Sequence, residues 1–566
     1  MLKVLSERYD ISLITFLLLI VIGGVFIAFL IVPILYIFVK AFYINGQFSL
    51  RFFQLMFENP IMREAILNSI KIGIATTIGT TILSLPLAFL MMRFDFPLKS
   101  LIQGLLLVPM IMPPFVGAIG MKQFFARYGS VNLFLMKIDL IDKPIDWFGD
   151  GGFTGIIILE VLHLYPIMYL NVAAALANID PSLEEAAENM GASRFKLFRS
   201  VTFPLMIPGY FAGAIIIFLW ALTDLGTPLI FGYRKVIPVH IFNMVTDIHE
   251  NPMGSVLVVL VLIMTVFFFY ISKVLVGTKR YEMFSRGHIV PRSLHLSWVK
   301  AIPLYLVFLF VFFLAVIPHI SVVIASISQK WFMSILPQEV TLKYYGLAFT
   351  HPLTSTGIAN SLLYSVFSTT FDLFFGVLIA YLLTRKRIPW KNVIDTLAML
   401  PLALPGLVLA FGYVATYSGT ILDPRENPIP LLIISYGIRR LPYAVRAAYA
   451  GFQQTSIALE EASLNLGASV SRTVIKITLP LIMANLIAGG LLCFAYAMME
   501  VSDSLVLAMK EQFYPITKAI WALFGRLGDG AYISSALGII GMILLTISIL
   551  VASKLLGQKM GELFRA

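Results

Sequence analysis

The chain has 566 residues, 59% hydrophobic and only 13% charged, with a formal charge of +11 and a mean hydropathy of +0.90. A soluble domain carries about a quarter charged residues, so that class is excluded and an all-α polytopic membrane protein is expected. The positive balance is then the Lys/Arg excess of short cytoplasmic loops rather than a nucleic-acid surface, and the single cysteine, Cys493, excludes an intrachain disulfide.

Apolar runs long enough to cross a bilayer predict spans near 11–43, 65–92, 100–122, 153–178, 203–225, 253–277, 299–328, 357–384, 392–415, 428–452, 479–508 and 533–556. The first run is too long for the apolar core of a signal peptide and reads as a span. Six spans precede and six follow a basic connector containing Lys279, Arg280, Arg286 and Arg292 against Glu282, with Lys300 just after it. The chain therefore divides into a first half (1–277), a linker (278–298) and a second half (299–566). Positive charge marks the inner side. Arg93 with Lys99, and Arg385-Lys386-Arg387 with Lys391, put the matching loop of each half in the cytoplasm, together with the linker and both termini. The loops at 123–152, 226–252, 329–356, 416–427 and 509–532 are expected to face outward.

The two halves are copies. Leu183–Ser193 and Leu459–Ser469 are identical at eight of eleven positions at an offset of 276, which continues to Pro204-Leu205 and Pro480-Leu481. Earlier in each half an offset of 292 aligns Pro60 with Pro352, Asn68-Ser69 with Asn360-Ser361, Arg93 with Arg385, Pro97 with Pro389, Lys99 with Lys391, Pro109 with Pro401 and Pro113 with Pro405. The difference leaves the first half 16 residues longer, in the outward loop around Asp139–Gly155. An even number of spans per half gives both the same orientation, the parallel arrangement of repeats that places a transport pathway at their interface.

Each copied segment reads as helix, turn, helix. Asp180 before Pro181, and Ser456 in the second copy, are N-caps. Glu184 and Glu185, or Glu460 and Glu461, lie where a helix dipole favours negative charge. Gly191 and Gly467 stop the helix, Ser193 and Ser469 cap a second one, and Pro204 and Pro480 open the next span. Glu185-Ala186-Ala187 with Gly191 and Val201-x-Phe203-Pro204, and Glu461-Ala462-Ser463 with Gly467 and Ile477-x-Leu479-Pro480, resemble the EAA loop of binding-protein-dependent ABC importer permeases. The resemblance covers nearly the whole chain. It implies a type I importer fold with two permease halves fused, about 12 transmembrane helices in all, in the inner membrane of a prokaryote. It further implies that the loops at 180–204 and 456–480 couple to two copies of an ABC ATPase subunit through Glu184, Glu185, Ala186, Gly191, Glu460, Glu461, Ala462 and Gly467, and that an extracytoplasmic solute-binding protein delivers substrate. The fused layout, with Asp224-Leu225-Gly226-Thr227-Pro228 and Leu404-Pro405-Gly406, is similar to ferric-iron permeases; phosphonate, thiamine and polyamine permeases are related. The sequence has no G-x-x-x-x-G-K-[S/T] loop, so ATP is expected on a partner chain, with no cofactor and no catalysis here.

Ionisable residues inside spans are costly and mark candidate path residues. Asp224 and Glu500 align at the 276 offset, with Asp503 one turn beyond Glu500. They either line an outward vestibule that favours a cation or reach interfacial water. His163 aligns with Arg439, each followed by a proline (Pro166, Pro442), which suits a gate or a simple kink. Asp372 sits mid-span opposite Thr80 in the repeat, and Tyr165, Tyr169 and Tyr443 either line the path or pack. No metal cluster has convincing spacing; His240 and His249 read as solvated. The extra outward residues either touch a binding protein or are loop variation. The rival from another class is an ion-coupled secondary transporter working through Asp372; a channel or receptor scaffold is the third reading.

Overall fold

The computed structural model describes residues 12–44, 46–248, 251–277, 294–526 and 528–556. Lys279, Arg280, Glu282, Arg286, Arg292 and His249 therefore lie outside the described residues. The first half contains α1 (Leu13–Phe42), α2 (Pro60–Arg93), α3 (Lys99–Ile111), α4 (Pro114–Phe125) and α5 (Phe153–Ala177). It continues with α6 (Pro181–Asn189), α7 (Arg194–Thr223), α8 (Gly226–Phe231), α9 (Ile237–Asn243) and α10 (Met253–Gly277). The second half repeats the order as α11 (Ile302–Ser326), α12 (Pro352–Arg385), α13 (Lys391–Leu402), α14 (Gly406–Tyr417) and α15 (Ile429–Gln454). It ends with α16 (Ile457–Asn465), α17 (Val470–Met498), α18 (Ser502–Leu507), α19 (Ile516–Phe524) and α20 (Gly530–Leu556).

Among the described residues nine helices are long and apolar enough to cross a membrane, and two sharply bent pairs bring the number to eleven. The 26-residue α15, carrying Arg439, Arg440 and Arg446, makes an arrangement consistent with the twelve spans expected. The predicted spans 100–122 and 392–415 are the bent pairs: the axis turns 89° between α3 and α4, and 102° between α13 and α14. The repeated prolines explain the break. Pro109 and Pro401 sit in short 3-10 turns, and Pro113 and Pro405 hold extended backbone before the second segment. Spans expected to end at 225 and 508 stop at Thr223 and Met498. The following stretches begin with buried short helices: α8, α9 and α19 lie where outward loops were expected, and α18 lies within the predicted span 479–508.

In each half three helices form the central packing unit: α2, α5 and α7 in the first, α12, α15 and α17 in the second. Both 34-residue helices start alike. Asn59 Oδ1 accepts from the Ile61 amide at 2.9 Å and His351 Nδ1 from the Leu353 amide at 3.2 Å, each before a proline. The first span of each half crosses to the other half: α1 packs on α10 and α14, and α11 on α20 and α4. Repeated glycines permit the approach. A methyl group on Gly120 would lie 2.7 Å from the Val322 amide nitrogen, and one on Gly412, 292 positions later, 3.1 Å from Pro33 Cβ. Large apolar side chains of α1 and α12, such as Leu17, Ile20, Val366 and Phe374, remain exposed, as a lipid-facing surface requires.

The end of the linker is tied to the first half. Leu294–His295 pairs in parallel with Phe94–Asp95 just after α2, and Tyr305 Oη of α11 donates to the Pro97 carbonyl at 2.6 Å. From that pairing the chain runs through α11 into α12, the repeat counterpart of α2. The 16 additional residues of the first half are pinned by the buried Asn132. Its amide nitrogen donates to the Ile145 carbonyl at 2.7 Å, and its oxygen accepts from Trp147 Nε1 at 2.9 Å.

Candidate functional sites: two anchored loops and a buried charge network

The copied segments fold as predicted. Asp180 accepts from the Ser182 amide at 3.0 Å and Ser456 from the Ala458 amide at 3.3 Å, opening α6 and α16. Both helices end in the same Schellman turn: Ala192 N bonds Ala187 O at 3.0 Å and Gly191 N bonds Glu188 O at 2.9 Å, matched by Ala468 N to Ser463 O at 3.1 Å and Gly467 N to Leu464 O at 2.9 Å. The turn needs a left-handed residue, and Gly191 (φ 81°) and Gly467 (φ 84°) supply it. Ser193 and Ser469 then cap the next helix. That helix starts earlier than the predicted 203 and 479, running from Arg194 and Val470 through Pro204 and Pro480. A π-helical stretch, Phe198–Thr202 or Val474–Thr478, precedes each proline. The wider coil removes the clash of the proline ring with the preceding turn.

Each loop is held to its own half by one ion pair. Glu184 Oε1 meets Arg93 Nη2 at 2.6 Å and accepts from Thr202 Oγ1 at 2.7 Å. Glu460 Oε1 meets Arg385 Nε at 2.9 Å, and Arg385 Nη2 also donates to the Phe452 and Thr455 carbonyls at 3.1 and 3.0 Å. Glu185, Ala186, Glu461 and Ala462 are exposed. Within the chain the anchors are thus Glu184 and Glu460, with Glu185 and Glu461 presented outward. The arginine partners, aligned in the repeat as charge markers, had a legible signal of position but none of pairing. Reading the motif alone also missed Met190 and Leu466, equivalent residues beside the glycines that are 83% and 89% exposed.

The path candidates converge only in part. Arg439 Nη1 lies 2.6 Å from Glu500 Oε1 and 3.4 Å from Asp503 Oδ2, which also accepts from Ser435 Oγ at 2.9 Å. Arg440 bonds the other oxygen of Glu500 and donates to the Tyr496 carbonyl at 2.9 Å. Glu500 and Asp503 are buried, so neither reaches interfacial water, and α17 has ended before they begin. They converge because the chain turns after Met498 and the Asp503 amide donates back to Glu500 Oε1 at 3.3 Å. In the first half Asp224 accepts from the Thr227 amide at 2.9 Å, and Thr227 Oγ1 donates to Glu160 at 3.2 Å. Thr227 thus stands between Glu160 and Asp224. His163 is separate from this pair: its Nδ1 is 3.0 Å from the Pro109 carbonyl, beside a small cavity that it lines with His319.

Asp372 is fully buried near Arg440 and Cys493, with neither carboxylate oxygen hydrogen-bonded. Tyr165 donates to the Leu106 carbonyl at 2.8 Å, and Tyr443 stacks on Tyr496 with centroids 5.8 Å apart, so both have packing roles. His240 is half-buried rather than solvated. Glu160 and Arg440 were missed because their repeat equivalents, Tyr436 and Leu164, carry no charge. Their location mid-span was the available signal. Among the described residues no cluster of three or more His, Cys, Asp or Glu could hold a metal ion.

The family described as binding-protein-dependent transport system inner membrane component matches residues 80–280 and again 372–562. The chain belongs to this family. The double match makes it a permease of two equivalent halves. A Haemophilus influenzae protein named as a ferric transport system permease is 28% identical over 494 residues, 85% of this chain and 76% of its own. The ferric transport system permease protein of Actinobacillus pleuropneumoniae is 27% identical over 516 residues, 89% of this chain and 72% of its own. The molybdate/tungstate transport system permease of Pyrococcus furiosus aligns over 197 residues at 29% identity, 35% of this chain but 76% of its own. These relatives are permeases rather than enzymes.

Proposed function

We propose that this permease is the membrane subunit of an ATP-driven importer for ferric iron. An extracytoplasmic binding protein delivers the iron, and two ATPase subunits dock on α6 and α16 from the cytoplasm. The observation that carries the reading is the pair of equivalent loops, each fixed by an arginine at the end of a 34-residue helix and each exposing an acidic residue and a large apolar one. Rigid anchoring lets a displacement of a docked subunit move α2 or α12 with its loop. Closure of the two ATPase subunits on nucleotide then tilts the halves and switches access at their junction. Nucleotide must bind one state better than the other for this to work. Ferric iron is favoured by the two relatives that match along most of the chain, and by the carboxylates gathered at the junction. Family membership with a binding-protein-dependent system leaves the ion-coupled rival without support. The orientation proposed puts the loops, linker and both termini in the cytoplasm, as the positive-inside bias requires.

The test is reconstitution of the purified permease with its ATPase and binding protein in liposomes, followed by radioactive iron uptake. ATP-dependent accumulation against a gradient is expected, together with co-purification of the ATPase. Uptake driven by a proton or sodium gradient without ATPase would overturn the reading.

A further inference from the structure

We infer that Arg439 is a resident counter-cation on the carboxylates of Glu500 and Asp503, and that a hard metal cation crossing the permease displaces it from them. The inference rests on the reading that the cargo is a cation. The site lies where the halves meet: a methyl group on Gly226, in the first half's turn, would be 3.0 Å from Val501 Cγ1 in the second half's equivalent turn. Parallel repeats place their pathway at such a junction. Arg439 lies ten residues into α15, about 15 Å along the helix.

The chemistry around it is that of an oxygen site with its cation supplied internally. Two buried acids, Glu500 and Asp503, stand with two arginines, Arg439 and Arg440, and a third buried acid, Asp372, lies on the side of Arg440. Asp503 Oδ1 and both Asp372 oxygens are buried without a hydrogen-bond partner, so acceptor capacity remains unused beside the arginines. Carboxylate oxygens suit hard, highly charged ions. The two arginines are not equivalent. Arg440 also holds the Tyr436 and Tyr496 carbonyls, whereas among the described residues the hydrogen bonds of Arg439 go only to the two carboxylates. Side-chain exposure separates them too: 23% for Arg439, against 7% for Arg440, 7% for Glu500 and 0% for Asp503. Arg439 therefore covers the acids from the accessible side. Gly406 makes room for it, since a methyl group there would lie 2.6 Å from Arg439 Cζ and 2.7 Å from Asp503 Oδ1. In the first half His163 occupies the equivalent position but bonds Pro109, and among the described residues neither Glu160 nor Asp224 has an ion-pair partner, so the resident cation belongs to the second half alone.

The test titrates the purified permease in detergent with terbium(III) alone, a hard trivalent probe whose luminescence nearby tyrosines such as Tyr436 sensitise. Arg439→Gln is expected to tighten terbium binding by about tenfold or more, since removing a desolvated partner leaves the carboxylates uncompensated. Arg439→Lys should behave as the native chain, and Arg439→Gln with Asp503→Asn should lose the gain. Gly406→Ala keeps every charge but crowds the guanidinium and Asp503 Oδ1 alike, so it is expected to loosen their pairing and tighten binding by less than Arg439→Gln, which keeps the test open if Arg439→Gln does not fold. Equal affinity in the native chain, Arg439→Gln and Gly406→Ala overturns the proposal, as does a gain that survives Asp503→Asn. A terbium gain in a permease whose reconstituted complex takes up no iron supports the site and removes the ferric reading only.

Discussion

At the scale of single residues, the two loops are alike in sequence but held with different strength. Arg385 and Glu460 have side chains 7% and 11% exposed, and Arg385 also satisfies two carbonyls; Arg93 and Glu184 are 26% and 14% exposed. Breaking a buried pair by removing one partner costs about 3–5 kcal/mol, and a more hydrated pair less. Arg385→Ala is therefore expected to loosen residues 456–470 more than Arg93→Ala loosens 180–194. Amide hydrogen exchange of the two segments checks this, and equal protection after both substitutions would count against the anchoring role. The exposed Glu461 touches no such network among the described residues. Glu461→Lys should change thermal stability by less than about 0.5 kcal/mol, as surface substitutions do, while ATP-driven transport falls at least tenfold and the protein stays inserted. Normal transport in that variant would remove Glu461 from the coupling surface.

At the scale of elements, prolines and the groups they leave unpaired account for much of the helix geometry. Pro33 in α1 cannot donate to the Phe29 carbonyl four residues earlier, and the π-helical stretch Ile27–Ile31 lies just ahead of it. Tyr413 Oη of α14 donates to that carbonyl at 2.7 Å, and Tyr417 Oη to the neighbouring Ala28 carbonyl at 2.6 Å. A span from one half is thus fastened to the other through backbone groups that a regular helix would satisfy itself. Tyr413→Phe is expected to destabilise the permease by about 0.5–1.5 kcal/mol, the range that double-mutant cycles give for hydrogen bonds between membrane helices. Pro33→Ala, which restores a donor within α1, should recover most of that loss in the double variant. A double-mutant cycle on thermal unfolding in detergent reads the coupling, and strict additivity would show that the tyrosine acts elsewhere. These contacts also mark what the chain made legible. Apolar runs, caps and the 276 and 292 offsets foretold the spans, the Schellman turns and the equivalence of the loops, because those features are local or repeated. The bends at Pro109–Pro113 and Pro401–Pro405 were visible as prolines but not as right angles, since the angle is set by packing. Arg440 on Glu500 and Glu160 beside Asp224 lay beyond reach because they join distant helices and have no counterpart in the other half.

For the whole molecule, the crossing of α1 and α11 decides how independent the halves are. Each half lacks a complete partner surface for its own α4 or α14, because that surface is covered by the first span of the other half. The two bundles are therefore mutually dependent through their interface, and the second half is further secured by the pairing of Leu294–His295 with Phe94–Asp95. Because each half matches the family model by itself, the covalent connection is expected to be dispensable while the interface is not. Residues 1–277 and 294–566 co-expressed as separate chains are expected to co-purify and to restore transport, at a level reduced by the lost effective concentration of the linker. Either half expressed alone should be degraded or aggregate, since Gly120 or Gly412 would leave a groove open where a span belongs. Removing residues 12–44 from the first chain should abolish rescue even though the other five spans of that half remain. Rescue by that shortened chain would mean that the crossing contributes nothing essential to assembly, and failure of the intact pair would show that the two bundles form only as one continuous chain.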